Sequence, residues 1–171
     1  TYIAAEKLFM RGDNEGAHRS MQNYLQNYPN GAFSTNANFY LASIAFNLKE
    51  YNEALPMFEQ VIASGDRKFL EESTARKAEI EYLTENFKAA LETFKRLNEI
   101  AESADNKEAA SLGIMRCALK EGNQKDALAG ANQLLKNPKV SPEIANEARY
   151  VRAKAYMEMD QESKALADLK L

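Results

Sequence analysis

The chain has 171 residues, 45% of them hydrophobic and 27% charged, with a formal net charge of −3. That length allows one ordinary domain or a short repeat array, and the charge balance leaves no basic footprint for a nucleic acid. No apolar run approaches the roughly 18 residues of a membrane span, and the single cysteine, Cys117, excludes an internal disulfide framework and a cysteine-clustered metal site.

With seven glycines, four prolines and abundant Ala, Leu, Glu and Lys, helix is the default state. The pattern is already helical at Tyr2-Ile3-Ala4-Ala5 and runs to about Arg11, where Gly12-Asp13-Asn14-Glu15-Gly16 interrupts it. A second helix reaches about Tyr28 and is closed by Pro29-Asn30-Gly31. Ser34 or Thr35 is the expected N-cap of a third helix through Leu48, and Lys49-Glu50 turns into a fourth from Tyr51 to about Ala63. Pro56 lies inside that fourth helix and predicts a slight bend. Further pairs are predicted over 69–83 and 87–102, over 106–120 and 125–136, and over 143–159 and 162 onward. Ser141 is the expected N-cap of the ninth helix, with Pro142 at its first position.

These ten helices share a register. The alanines that open each second helix, Ala17, Ala54, Ala90, Ala127 and Ala165, are spaced 37, 36, 37 and 38 residues apart. Four residues further on stand Met21, Phe58, Phe94, Ala131 and Leu169, and twelve residues earlier Ala5, Ala42, Ala78, Met115 and Ala153. Large and small residues kept in step through five units mean a repeat protein, in which stacked helix pairs bury stripes that one pair cannot bury alone. The units run approximately over 1–31, 32–66, 67–103, 104–139 and 140–171. With a helical pattern at both ends, the chain reads as a single array cut from a longer protein, its missing signals saying nothing of compartment. Leu166, Leu169 and Leu171 then have no next repeat to cover them.

Leu41-Ala42, Tyr51, Ala54, Phe58 and Val61 carry a resemblance to the tetratricopeptide repeat family, as do Ala78, Phe87, Ala90, Phe94 and Leu97, and Ala5, Gly12, Ala17, Met21 and Pro29. The resemblance implies an all-α fold, a right-handed α-α superhelix (solenoid) of about five helix pairs with first helices lining a concave face. The family repeat is about 34 residues long. The longer unit here, with Tyr28-Pro29-Asn30-Gly31 closing a repeat, is similar to tetratricopeptide proteins of the bacterial cell envelope. Two departures stand out. Lys77 and Arg152 occupy a large apolar place, which predicts looser docking of those first helices. Met115 and Ala131 exchange the usual small and large places, which predicts a volume-conserving swap.

Catalytic chemistry finds little support in the sequence. His18, the only histidine, reads as solvent-facing or half-packed, Cys117 as a packed inert thiol, and the many carboxylates as solvated helix faces paired with Lys and Arg. No phosphate loop, zinc spacing or cofactor motif occurs, so the chain is expected not to be an enzyme. What remains is the expected concave wall, formed by Tyr2, Glu6, Phe9, Phe39, Ser43, Phe46, Glu79, Tyr82, Leu112, Arg116, Tyr150 and Lys154, together with Leu119 and Met157. It reads as an aromatic groove, acidic early and basic late, for a peptide or helix of another protein. The other reading of these rings is packing between adjacent first helices. The carboxylate clamp of chaperone-binding members is absent, because Tyr2, Glu6, Tyr40 and Glu72 stand at its positions and only Arg76 fits. Two other roles stay open: a spacer or self-association module, and a regulatory arm of a larger enzyme or transcription factor.

Overall fold

A computed structural model describes residues 1–170; the expectation for Leu171 lies outside the described residues. These residues form ten α-helices and no strand. They divide into two compact units, residues 1–80 and residues 81 onward.

The first unit holds α1 (Tyr2–Met10), α2 (Asn14–Asn27), α3 (Ser34–Asn47), α4 (Tyr51–Ala63) and α5 (Arg67–Leu83) as far as Ile80. Its core is built from the columns legible in the sequence: Ala5, Ala17, Met21, Ala42, Ala54, Phe58 and Val61 are all buried. Ala42, Ala45, Ala54, Phe58 and Ile80 pack as one cluster. Helix α4 runs unbroken through Pro56. The cap of α3 differs from expectation: Phe33 takes the N-cap position, and the Ser34 hydroxyl donates to the Tyr28 carbonyl at 2.8 Å, tying the loop to the helix rather than capping it. Lys77 is also docked more firmly than its charge predicts, because its Nζ donates to Glu59 at 2.8 Å and brings α5 against α4.

The second unit holds the end of α5, then α6 (Phe87–Ile100), α7 (Ala104–Lys120), α8 (Gln124–Lys136), α9 (Pro142–Glu158) and α10 (Glu162–Leu169). Leu97, Met115, Cys117, Ala131 and Leu134 are buried within it. Ser141 caps α9, accepting from the Ile144 amide at 3.3 Å, with Pro142 in the first turn as expected. Arg152 overturns the expectation of loose docking. Its guanidinium grips both oxygens of Asp168 and donates to Asn132 Oδ1 at 3.0 Å, so polar contacts add to the buried alanines in tying α9 to α8 and α10.

One backbone device recurs in every pair. Gly12, Lys49, Glu85, Gly122 and Asp160 each stand five residues before the alanine of the second helix, and each has φ between 57° and 81°. The amide that follows each of them, in Asp13, Glu50, Asn86, Asn123 and Gln161, donates to a carbonyl five residues back at 2.7–3.0 Å. This is the Schellman C-cap, whose left-handed residue suits glycine. Lys49, Glu85 and Asp160 carry a Cβ there at an intrinsic cost of about 1–2 kcal/mol. Nothing lies within 4 Å of a Cβ added to Gly12 or Gly122. Gly122→Ala should therefore destabilise through the backbone alone, by about 1 kcal/mol, and Glu85→Gly should stabilise by about 0.5–1 kcal/mol. Chemical denaturation of the two variants checks this; shifts of the same sign would contradict the turn assignment.

Candidate functional site

The residues expected to line a wall separate into those that hold the fold and those offered to solvent. In the first unit most are internal. Tyr2 is only 4% exposed, so its place on a binding wall is corrected: its ring stacks on Phe33 at 4.6 Å and its hydroxyl donates to Glu6 at 2.7 Å. Tyr40 donates to the same Glu6 oxygen at 3.1 Å. Burial, then the neighbouring Glu6 carboxylate, holds both tyrosine hydroxyls above their ordinary pKa, so they remain donors. Glu6 is thus engaged by its own repeats. Phe9 packs on Tyr40 at 4.8 Å.

Phe39 stacks on Phe69 at 4.5 Å and meets Phe58 edge-on at 6.3 Å, so it is a packing residue between helices, the alternative named for these rings. The Ser43 hydroxyl turns back to the Phe39 carbonyl of its own helix. Phe46 is half-buried, with the Arg76 guanidinium 4.8 Å from its ring centre and Tyr51 beside it. Arg76 is in turn paired with Glu72 at 2.9 Å and with exposed Glu79 at 3.1 Å. The acidic character expected early in the chain is largely consumed within these contacts.

The second unit keeps more of its wall free. Tyr82 meets Phe87 edge-on at 5.5 Å, and Leu112 is half-buried. Arg116 forms a two-pronged pair with Glu147, at 2.7 and 2.8 Å, joining α7 to α9. That bond raises the Arg116 pKa and lowers that of Glu147, so both groups stay ionised and are engaged with each other. Along α9, by contrast, Tyr150 is 61% exposed, Met157 56% exposed, and Lys154 lies between them in the open. Beside this ridge is a cleft of about 50 Å³, floored by Ala118, Ala127, Val151 and Ala155 and rimmed by Leu119, Lys154 and Glu158. The cleft is not foreshadowed by the repeat pattern, since of its floor residues only Ala127 belongs to one of the columns described above.

Several groups are set aside by their surroundings. Cys117 is fully buried, and burial with Glu121 and Glu81 nearby pushes its thiol up to about 12, leaving it protonated and a poor nucleophile. His18 is half-buried, with its Nε2 3.4 Å from the Gln22 amide. Among the described residues no group of three or more His, Cys, Asp and Glu is placed to hold a metal, and no helix is long and apolar enough to cross a membrane. A second concavity, open and about 640 Å³, lies in the first unit among α2, α3 and α4, lined by Gln22, Leu41, Pro56 and Met57 among others.

Helix pairs joined by five like turns define a helical-repeat protein. Residues 36–64 match the tetratricopeptide repeat model, and solved structures of tetratricopeptide proteins share the fold of the whole chain. YrrB, described as a tetratricopeptide protein with an unusual peptide-binding site, aligns at a TM-score of 0.75 and 21% identity, over 99% of this chain and 81% of its own. MamA aligns at 0.68 and 15%, over 97% and 90% respectively. A tetratricopeptide protein of Parabacteroides merdae aligns at 0.67 and 13%, over 98% and 75%. No curated protein matches the sequence.

Proposed function

We propose that the chain is a protein-interaction scaffold, without catalytic chemistry of its own, that holds a segment of another polypeptide against its first helices. The observation that carries this reading is the α9 ridge of Tyr150, Lys154 and Met157, exposed beside an apolar cleft. An exposed tyrosine and methionine on either side of an open lysine supply the anchor-and-rim chemistry of a peptide surface. The fold shared with YrrB, a protein described as having a peptide-binding site, supports it. Tyr82, Leu112 and Arg116 stay in the proposed surface with the α9 ridge, while Tyr2 and Phe39 leave it because they hold neighbouring helices together. Panning a random peptide library against the protein tests the reading. Selected clones should lose about tenfold or more in affinity for a Tyr150→Ser, Met157→Ser double variant. Clones indifferent to both changes would contradict it.

A further inference from the structure

Residues 20–48 hold no Asp, Glu, Lys, Arg or His, in a chain that is 27% charged. Within that stretch the loop from Tyr28 to Phe33 joins α2 to α3. Two bonds tie the loop across. The Phe33 amide donates to Tyr24 Oη at 3.1 Å, and the Ser34 hydroxyl donates to the Tyr28 carbonyl at 2.8 Å. They leave no room for a side chain at Gly31, where an added Cβ would sit 2.5 Å from Tyr24 Oη and 3.0 Å from Tyr28 Cβ. The packing of the loop therefore demands glycine directly after Asn30.

Glycine in that place has a chemical consequence. An asparagine carboxamide is most open to attack by the next backbone nitrogen when the next residue has no side chain to shield it. Of the asparagines in this chain, only Asn30 is followed by glycine. Most of the others lie within helices, where the next backbone amide is committed to the helical ladder. Asn30 is exposed in a turn, and its carboxamide has no partner among the described residues. The Gly31 amide is held by a single bond at the surface, to the Tyr28 carbonyl at 3.1 Å.

We propose that Asn30 is a self-modification site, at which the carboxamide converts to isoaspartate or aspartate and the isoaspartate form loosens the α2–α3 loop. The Gly31 nitrogen gives its proton to water and attacks Cγ of Asn30. The bond from Cγ to the side-chain nitrogen breaks, and that nitrogen takes up a proton and leaves as ammonia. Water then opens the cyclic imide at either carbonyl, leaving one carboxylate in a segment that had no charge. The isoaspartate product also adds a methylene to the backbone between Tyr28 and Phe33. That extra length is out of register with the two bonds that span the loop.

Peptide mapping of the intact protein, held in heavy-oxygen water at physiological temperature, tests the site against the free peptide Tyr-Pro-Asn-Gly-Ala-Phe. Asn30 should be the first asparagine to take up a labelled oxygen. Its rate should be about tenfold below that of the free peptide, a difference of about 1.4 kcal/mol, because one surface hydrogen bond must open first. The Asn30→Gln variant should gain no label in this segment. In the isoaspartate form, separated by ion exchange, amide exchange at Phe33 and Ser34 should be about tenfold faster or more. Asn30→Asp, which has the charge without the methylene, should exchange as the native protein does. Asn30 still intact when the free peptide has converted, or another asparagine changing first, would overturn the site. An isoaspartate form with native exchange at Phe33 and Ser34, or equal acceleration in Asn30→Asp, would overturn the loosening by the lengthened backbone.

Discussion

Met115→Ala, a change that brings the fourth helix pair into line with the other four, is expected to destabilise the protein by about 2–5 kcal/mol. Ala5, Ala42, Ala78 and Ala153 fill the equivalent positions, so a consensus argument predicts the opposite sign. The packing decides between them. Met115 is fully buried, and in the same repeat the small Ala131 takes the place that Phe58 and Phe94 fill in theirs. A Cβ added at Gly130 would sit 2.8 Å from both the Met115 amide and the Ser111 carbonyl, so the α7 and α8 backbones already touch there. Nothing can move inward to refill the space a truncated methionine leaves. The loss of transfer free energy and the residual cavity therefore both count. Restoring volume on the facing side, as Met115→Ala with Ala131→Phe, should recover part of the loss. Urea denaturation reads both variants; a neutral or stabilising Met115→Ala would show that the two positions are not coupled.

Arg152→Ala is the second large effect, and it should be local. The Asp168 side chain is 5% exposed and depends on Arg152, whose own side chain is 23% exposed. Removing one partner leaves a buried, unpaired carboxylate, a loss of about 3–5 kcal/mol in comparable pairs. In a repeat array that loss falls on the α9–α10 pair, because each pair is supported only by its neighbours. Amide exchange across α10 should accelerate sharply while α7 keeps its protection. The double variant Arg152→Met with Asp168→Leu should restore protection, since a buried ion pair replaced by apolar residues of similar size is often neutral or better. If Arg152→Ala leaves α10 as protected as before, the pair is an ornament and the shorter helix is held by Ala165 and its neighbours alone.

The architecture was legible because it is written in residue size. A small residue at Ala42 and a small residue at Ala54 are required wherever two helices approach closely, and that demand repeats at every pair. The turns were less legible. Gly12 and Gly122 announce a left-handed residue, but Lys49, Glu85 and Asp160 adopt the same conformation without any compositional sign. Polar contacts were the least legible, because charge in a sequence reads as surface. Arg152 with Asp168, and buried Glu81 accepting from the Thr93 hydroxyl at 2.6 Å, are decided by where helices meet. Ser73 shows the same limit from the other side. It occupies the place of Ala37, Ala110 and Ala148, fully buried, with no hydrogen-bond partner for its hydroxyl.

The candidate surface was legible in outline only. Spacing from the alanine column placed Tyr150 and Lys154 on an open face, as the structure does, yet the same spacing placed Tyr2 and Phe39 there and they are packed. Aromatic rings at a first-helix face serve either purpose, and the choice depends on whether a neighbour such as Phe33 or Phe69 reaches them. Charge steers the rest: Glu6 and Arg116 are engaged internally, Lys154 is not.

Hydrogen–deuterium exchange of the protein with and without a library-selected peptide locates the binding surface. Added protection is expected along α7 and α9, centred on the turns that carry Leu119, Tyr150 and Lys154, with α2 and α4 unchanged. Protection confined to α2 and α4, around the open groove that Gln22, Pro56 and Met57 line, would contradict it and move the binding surface to the second helices.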